Sequence, residues 1–391
     1  MSRNILITLL GRPAKRDGAY KTARYRFPDG SFSEPTMLLG RELVKRISPD
    51  AVILLGTPGS LWAWLQADSH GTDDPSFSSE EIGQLLQLNE AVEQQQVTQK
   101  LLDDSTSTLR RVWGCEVCPL LVSNCETTAE QHDLLIRLAP LIQQGDNLIL
   151  DLTHGFRHVS LLLMMAAVYL RSIRSATIRF MYTSFYDPEN KVGTVFDLAG
   201  LNAMLDWQDA LSAFRKDGDA GVFAPLLEAD HASSKAVSNL REASYSSRIF
   251  RHEKAWTAER AVANDLEKNC PAGISGLFAP ELIRQLGQRT GSQRAVRLAE
   301  LARRQLRLGS YDRAVLLGLA AAQESHARDD ESLDDRHARL LNEKPDYILL
   351  NAIRNSIAHT SSKAQQHEAE KAMRDKTRLE ATLQLIFKNL F

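Results

Sequence analysis

The sequence predicts an α/β N-terminal domain with a doubly wound, mostly parallel sheet, followed by an all-α C-terminal bundle. Strand-like and helix-like segments alternate up to about residue 200, which is typical of a sheet covered by helices on both faces. The run Asn4–Leu10 is continuously apolar, as expected for a strand buried on both faces. Beyond Gly200 the strand signals stop and the periodic segments have helical spacing.

The composition is that of an ordinary globular protein of two or three domains. The formal net charge of −2 argues against a protein that coats nucleic acid through bulk electrostatics, so any anion site must be local. Four cysteines without a signal-like N-terminus fit a reducing cytosol, and no apolar run has membrane length. We therefore expect a cytoplasmic protein that does not span a membrane.

The predicted elements of the first half follow one another without long gaps. Strands are predicted at Asn4–Leu10, Ala51–Leu55, Cys115–Val122, Asn147–Asp151 and Thr177–Tyr182, with Val192–Phe196 as an edge strand. Helices are predicted at Pro35–Ile47, Ser79–Leu102, Thr128–Gln143 and Phe156–Leu170. Cys115 and Cys118 have metal-ligand spacing, but a second pair is missing, so we expect no metal site.

Three loops that leave predicted strands carry groups that could bind a polyanion. In parallel sheets ligands bind at the C-terminal ends of the strands, where these loops converge. One loop starts at Gly11-Arg12 and continues into a basic stretch, and a second contains Thr57, Gly59 and Ser60. Bland alternatives remain, because a basic loop can be merely solvated, and Gly59 and Ser60 can form a plain turn and helix cap.

The third loop, Asp151–His158, runs directly into a helix, whose first backbone N–H groups favour anions. Thr153 and His154 add donors, Gly155 permits close backbone approach, and Arg157 adds charge. Asp151 is more readily explained as a residue that fixes the loop than as a catalytic acid. A Gly-x-Gly-x-x-Gly motif and a Gly-Lys-Ser/Thr motif are both missing after the strands, which excludes the usual dinucleotide and phosphate-loop sites.

The second half is predicted to be helical throughout. Helices are predicted at Leu201–Phe214, Phe223–Leu227, Ala236–Ala255, Tyr311–Ala322 and Ala364–Phe391, with an acidic loop at Asp329–Asp335. A further helix starts near Pro345 and Asp346, which suit a first turn. Its predicted buried face consists of Leu349, Leu350, Ile353 and Ile357.

The end of this helix combines Arg354, Asn355 and His359. Histidine can transfer protons near neutral pH, arginine can stabilise charge on a phosphate, and Asn355 could orient either group. On an ideal helix Arg354 and His359 would point roughly 140° apart. They can meet at one phosphate only if the helix ends between them or if two chains contribute. The alternative is a solvated arginine and a C-terminal capping histidine.

These motifs together resemble a known family. Asp151-x-Thr153-His154-Gly155-Phe156-Arg157 resembles the Asp-x-Thr-His-Gly motif of CRISPR-associated proteins with an N-terminal CARF domain, which is Rossmann-like. Arg354-x4-His359 matches the motif of HEPN ribonucleases. In this order and at this separation, they resemble the CARF–HEPN ribonucleases of type III CRISPR systems over nearly the whole chain.

The resemblance implies a CARF domain at 1–199, a helical connector at 200–260 and a HEPN domain at 261–391. It implies a homodimer, with further assembly left open, whose CARF domains bind one cyclic tetra- or hexa-adenylate as an allosteric activator. The implied ligand residues are Gly11, Arg12, Thr57, Gly59, Ser60, Thr153, His154, Gly155 and Arg157.

The implied reaction is metal-independent cleavage of single-stranded RNA without a catalytic cofactor, leaving a 2′,3′-cyclic phosphate. The residues that would face one cleft are Arg354, Asn355 and His359 of both chains. Side chains from two chains could then meet at one phosphate, even though Arg354 and His359 point roughly 140° apart on one ideal helix. Two alternatives stay open. One is a sensor without nuclease activity, whose helical part binds a partner or DNA. The other is an enzyme that degrades the ring itself with Lys15, Arg16, Thr153 and His154.

Overall fold

The computed structural model describes residues 2–11, 15–16, 19–20, 22–63, 65, 77–187, 190–287, 293–358 and 366–391. The chain divides into two compact units, Met1–Asn202 and Ala203–Phe391. The predicted α/β half therefore corresponds to the first unit, and the predicted helical half to the second.

The first unit contains a seven-stranded sheet and a separate two-stranded hairpin, β2–β3. The strands are β1 (Asn4–Leu9), β2 (Lys15–Arg16), β3 (Ala19–Tyr20), β4 (Arg24–Arg26), β5 (Ala51–Gly56), β6 (Glu116–Leu121), β7 (Asn147–Asp151), β8 (Thr177–Asp187) and β9 (Val192–Asp197). The order across the large sheet is β4-β9-β8-β7-β1-β5-β6. Only the β8–β9 pairing is antiparallel among the described strands of this sheet, so the predicted mostly parallel sheet is confirmed.

Helices cover both faces of this sheet. They are α1 (Leu39–Ile47), α2 (Ser79–Glu93), α3 (Gln99–Asp104), α4 (Thr106–Trp113), α5 (Thr128–Leu138) and α6 (Arg157–Arg174). Successive residues of β1 enter opposite apolar clusters: Leu6 lies in one, and Ile5 and Ile7 lie in the other. Because side chains alternate along a strand, this division shows why β1 is apolar on both faces, apart from Thr8, whose buried hydroxyl donates to Asp151.

Three predictions about elements of the first unit are wrong. Val192–Phe196 was predicted at the sheet edge, but β9 lies inside the sheet because β4, from the basic stretch, pairs with it. The predicted helix Pro35–Ile47 starts only at Leu39, since Thr36 pairs with Ala23. The predicted single helix Ser79–Leu102 is interrupted between α2 and α3, where Gln95 has a φ of 55°.

The second unit is all-helical within its described residues, as predicted. Helix α7 (Ala199–Asp217) leads into it, followed by α8 (Ala224–Ala229), α9 (Ser234–Arg248), α10 (His252–Lys268), α11 (Gly273–Gly287), α12 (Arg294–Arg307), α13 (Tyr311–Ser325), α14 (Leu333–Glu343), α15 (Pro345–Ala358), α16 (Gln366–Met373) and α17 (Lys376–Leu390). One apolar cluster joins α7 to α11, and another joins α12 to α17. The division into a connector at 200–260 and a HEPN domain at 261–391 stays a prediction. No described helix has the length and apolarity needed to span a membrane.

Three predictions in this unit also need correction. The predicted helix Ala236–Ala255 is two helices, because Phe250 adopts a φ of 59° between α9 and α10. In the predicted helix Ala364–Phe391, Asp375 caps a new helix, α17, after α16 has ended. The acidic loop Asp329–Asp335 is shorter than predicted, since α14 begins at Leu333.

Candidate functional site

A cavity of about 610 Å³ lies in the first unit at the C-terminal ends of β1, β5 and β7. Most of the ligand residues predicted from the sequence line it: Gly11, Thr57, Gly59, Ser60, Thr153, His154 and Gly155. Arg157, the first residue of α6, is exposed and is not among the lining residues. Arg12 lies outside the described residues. The three predicted loops therefore do meet at one cavity.

Two glycines allow the loops after β1 and β7 to approach each other by backbone. A Cβ atom added to Gly11 would lie 2.9 Å from the backbone nitrogen of Gly155. Gly155 itself has a φ of 84°, a left-handed backbone conformation that residues other than glycine rarely adopt. The close approach therefore places backbone groups, rather than side chains, at this wall of the cavity.

Ser60 fixes the loop after β5 to the end of β1. Its buried hydroxyl donates to the carbonyl of Leu10 at 2.9 Å and accepts from the backbone N–H of Thr57 at 2.9 Å. The N–H of Leu61 also donates to the carbonyl of Gly11 at 3.2 Å. Because both roles of its hydroxyl are taken by backbone groups, Ser60 shapes the cavity more than it offers a hydrogen bond to a ligand.

Asp151 performs the loop-fixing role that the sequence favoured. One carboxylate oxygen accepts a hydrogen bond from the hydroxyl of Thr8 at 2.8 Å, and the other accepts from the backbone N–H of Thr153 at 3.0 Å. The side chain is completely buried. Thr153 in turn accepts a hydrogen bond from the N–H of Thr183 at 3.2 Å. The turn after β7 is thus tied to the neighbouring strands β1 and β8.

His154 is held by the start of α1. Its Nε2 accepts from the backbone N–H of Leu39 at 3.3 Å and lies 3.5 Å from the hydroxyl of Tyr25. Burial lowers the pKa of His154, although the charge of Asp151 opposes this effect. A neutral imidazole whose Nε2 is an acceptor carries its proton on Nδ1. His154 therefore caps a helix, which argues against its use as a base in ring degradation.

The cavity wall also includes Phe156, which belongs to the motif after β7 but was not predicted to bind a ligand, and two polar residues that were not selected from the sequence, Gln95 and Asn124. Gln95 was missed because it was placed inside a continuous helix. Thr98, whose hydroxyl caps α3, could have indicated that the predicted helix is interrupted there. Asn124 follows β6, so the rule that ligands bind beyond strand ends could have found it.

The family model of the CARF domain of the CRISPR system endoribonuclease Csx1 matches residues 5–188. This range contains all of β1 but its first residue, the whole of β2 to β8, helices α1 to α6 and the whole cavity. Residues 5–188 are thus similar to the CARF domain of Csx1. The matched range covers the α/β fold that the sequence predicts, and the resemblance to CRISPR-associated CARF proteins is confirmed.

Two further similarities accompany this match. The CRISPR-associated protein MJ1674 of Methanocaldococcus jannaschii is 23% identical over 223 residues, which cover 54% of this chain and 35% of that protein. The chain thus matches about a third of the length of that relative. The structure of Enterococcus italicus Csm6 bound to cyclic hexa-2′-fluoro-hexa-dAMP has 12% identity and a TM-score of 0.35, covering 100% of this chain and 95% of that chain.

The second predicted site lies on α15 in the helical unit. The guanidinium of Arg354 donates to the side-chain oxygen of Asn355 at 2.7 Å, and both residues are half-buried. The predicted start of this helix at Pro345 and Asp346 is confirmed. His359 lies outside the described residues. Asn355 therefore orients Arg354 in this structure.

The predicted buried face of α15 is only partly correct. Leu350 and Ile353 are completely buried, together with Tyr347, but Ile357 is 39% exposed and Leu349 is half-buried. The exposed Ile357 lies one turn from Arg354 and Ile353, at the end of the helix that carries the predicted catalytic residues Arg354 and Asn355. The apolar pattern thus continues onto surface that the single chain leaves uncovered.

The described part of the chain contains no group of three or more His, Cys, Asp or Glu side chains placed to hold a metal ion. Cys115 and Cys118 are both half-buried, and burial raises the pKa of each thiol. Both thiols are consequently protonated at neutral pH and act as small apolar groups.

Proposed function

We propose that this chain is a cyclic-oligoadenylate-activated endoribonuclease of type III CRISPR antiviral defence, acting in the cytoplasm as a homodimer. The observation that carries the proposal is the cavity at the strand ends of a CARF domain, lined by glycines and hydroxyls from three loops. The family description, which names an endoribonuclease, and the Arg354–Asn355 pair support the nuclease part.

The activator in this proposal is a ring of four or six adenylates. Backbone N–H groups near Gly11, Gly59 and Gly155 would bind its phosphates, together with the hydroxyls of Thr57 and Thr153. The exposed Arg157 at the start of α6 adds a charge next to the N–H groups of a helix terminus, an arrangement that favours anions. Two such cavities, related by a two-fold axis, would surround one ring.

The dimer of this proposal is supported by an uncovered apolar stripe on α6. Leu161, Met165, Tyr169 and Ile173 recur every four residues, and each is exposed in the single chain. Residues at this spacing share one face of a helix. A contiguous exposed apolar stripe on a helix that starts at the ligand cavity suits contact with the same helix of a second copy.

The proposed reaction needs only groups of the helical unit and of the RNA. The 2′-hydroxyl of the RNA attacks the adjacent phosphate, forming the cyclic phosphate and releasing a 5′-hydroxyl. His359 transfers the protons, and Arg354 stabilises the charge that builds on the phosphate. Asn355 keeps the guanidinium of Arg354 in place through the hydrogen bond of 2.7 Å.

The decisive experiment measures cleavage of a labelled single-stranded RNA with no ring, with cyclic tetra-adenylate and with cyclic hexa-adenylate, all in the presence of a chelator. We expect one ring to stimulate cleavage, and His359→Ala to abolish it while ring binding is retained. A chain that binds a ring but never cleaves RNA would be a sensor alone. Cleavage that ignores both rings, or that survives His359→Ala, contradicts the proposal.

A further inference from the structure

Phe156 is an apolar side chain at the wall of the ligand cavity that the fold does not use for its core. It follows Gly155 directly and precedes the first residue of α6. Half of its surface, 51%, is exposed, yet it lines the same cavity as the glycines and threonines of the three loops. An aromatic ring in this position is available to a ligand.

The orientation of this ring is fixed from one side. Phe156 is stacked on the imidazole of His158, with ring centroids 5.6 Å apart and an angle of 22° between the planes. Nε2 of His158 is in turn 2.7 Å from the carbonyl oxygen of Asn124. The ring is thus supported by a neighbour that is itself hydrogen-bonded, so little ordering is needed when a ligand binds.

The remainder of the cavity wall suits a nucleobase as well as phosphates. The described lining residues include no lysine or arginine, but they include two carboxamides, Gln95 and Asn124. Cγ of Gln95 lies 3.9 Å from the position that a Cβ atom on Gly59 would occupy, so it lies beside the loop after β5. Carboxamides are the side chains that pair with the edge of adenine, and aromatic rings are those on which bases stack.

We propose that Phe156 is the stacking platform for an adenine base of the bound ring. This inference rests on the proposed cyclic-oligoadenylate ligand and adds the base-binding subsite to it. Phe156 with His158 behind it holds the face of the base, while the phosphates lie against the glycine and threonine loops. Stacking on an aromatic side chain is worth roughly a five- to hundredfold change in affinity for each base.

The test is calorimetric titration of the full chain with cyclic tetra-adenylate and cyclic hexa-adenylate. Phe156→Leu keeps an apolar side chain but removes the aromatic ring, and Phe156→Trp keeps an aromatic surface. Phe250→Leu, a similarly exposed phenylalanine of the helical unit, serves as the matched control. We expect Phe156→Leu to bind about tenfold more weakly, while Phe156→Trp binds as tightly as the wild type or more tightly and Phe250→Leu is unchanged.

Sedimentation velocity on the same samples separates stacking from dimer contacts. Equal affinity of wild type and Phe156→Leu overturns the inference while leaving the proposed function intact. A loss of affinity accompanied by dissociation into monomers also overturns it, since Phe156 would then act at the interface. If Phe156→Leu does not fold, a tenfold loss of ring affinity in Phe156→Trp overturns the inference. A wild-type chain that binds neither ring overturns the proposed function and this inference together.

Discussion

At the scale of single residues, the candidate ligand cavity depends on the close approach of the backbone at Gly11 to Gly155. We predict that Gly11→Ala weakens ring binding by at least about tenfold and lowers the free energy of unfolding by about 1–3 kcal/mol, as expected for overpacking. The reason is that the new Cβ would lie 2.9 Å from the nitrogen of Gly155, and backbone atoms cannot easily shift. Calorimetry and chemical denaturation measure the two effects.

Gly59→Ala is the matched control for this prediction. A Cβ atom at Gly59 would meet only Cγ of Gln95, at 3.9 Å, which is an ordinary contact. Gly59→Ala should therefore leave the stability of the domain nearly unchanged. Equal losses of stability in the two variants would show that the close approach of the loops is not what requires glycine at Gly11.

The buried carboxylate of Asp151 makes Thr8 important for stability. Thr8→Val retains the shape of the side chain but removes the hydroxyl that donates to Asp151 at 2.8 Å. Leaving a buried carboxylate oxygen without its donor should lower the free energy of unfolding by about 1–3 kcal/mol. Thr8→Ser keeps the donor and should retain most of the stability in the same urea titration. A valine variant as stable as the serine variant would contradict the role assigned to this hydrogen bond.

At the scale of elements, Glu81 joins the start of α2 to α4. It accepts from the backbone N–H of Ser78 at 2.8 Å in a capping box, and Arg111 donates to it at 2.7 Å. These contacts, the backbone hydrogen bond first, lower the pKa of Glu81 from 4.5 to about 2. Because the folded-state pKa is depressed, this stabilisation is present above pH 4.5 and is lost as the pH falls towards 2.

The corresponding prediction compares wild type with Glu81→Gln. The wild type should be more stable at neutral pH, and the difference in free energy of unfolding should shrink as the pH falls from about 5 to about 3. Urea titrations at several pH values measure this. Glu80→Gln, in the same first turn, should show little difference from wild type throughout. A difference for Glu81→Gln that stays constant with pH would contradict the prediction.

The same scale shows what sequence periodicity could and could not predict. It located β1, β5 and β7 to within a residue or so, because strands buried on both faces are mostly apolar. It joined α2 to α3, and α9 to α10, because the apolar spacing continues across each break. The breaks depend on single residues with positive φ, Gln95 and Phe250, which neither composition nor periodicity indicates.

The candidate ligand cavity was predictable for a related reason. The ends of parallel strands must share one edge of the sheet, so residues that follow β1, β5 and β7 could be brought together from sequence alone. The role of His154 in accepting a hydrogen bond from Leu39 could not be predicted, since Leu39 lies 115 positions away in the chain. The position of β9 inside the sheet was also unpredictable, because it depends on pairing with the short strand β4.

At the scale of the whole molecule, binding and cleavage are assigned to different units. We predict that Arg354→Ala lowers RNA cleavage by at least about a hundredfold, since it removes the charge that we propose stabilises the phosphate in the transition state. Its affinity for the ring should be unchanged, because the cavity belongs to the other unit. Arg374→Ala, an exposed arginine that follows α16, is the control. Full cleavage by Arg354→Ala would contradict the assignment of the catalytic site.

The last prediction concerns the exposed stripe of α6. Met165 lies at its centre, with Leu161 and Tyr169 one turn away on either side. Met165→Glu places a charge in the proposed contact between two copies, where removing it from water would cost several kcal/mol. We expect this variant to sediment as a monomer and to lose ring-stimulated cleavage. Leu86→Glu, at an exposed position on α2, should remain dimeric. A Met165→Glu variant that stays dimeric and active would show that the two-fold axis lies elsewhere, because one charge on each copy would face its symmetry mate in the contact proposed here.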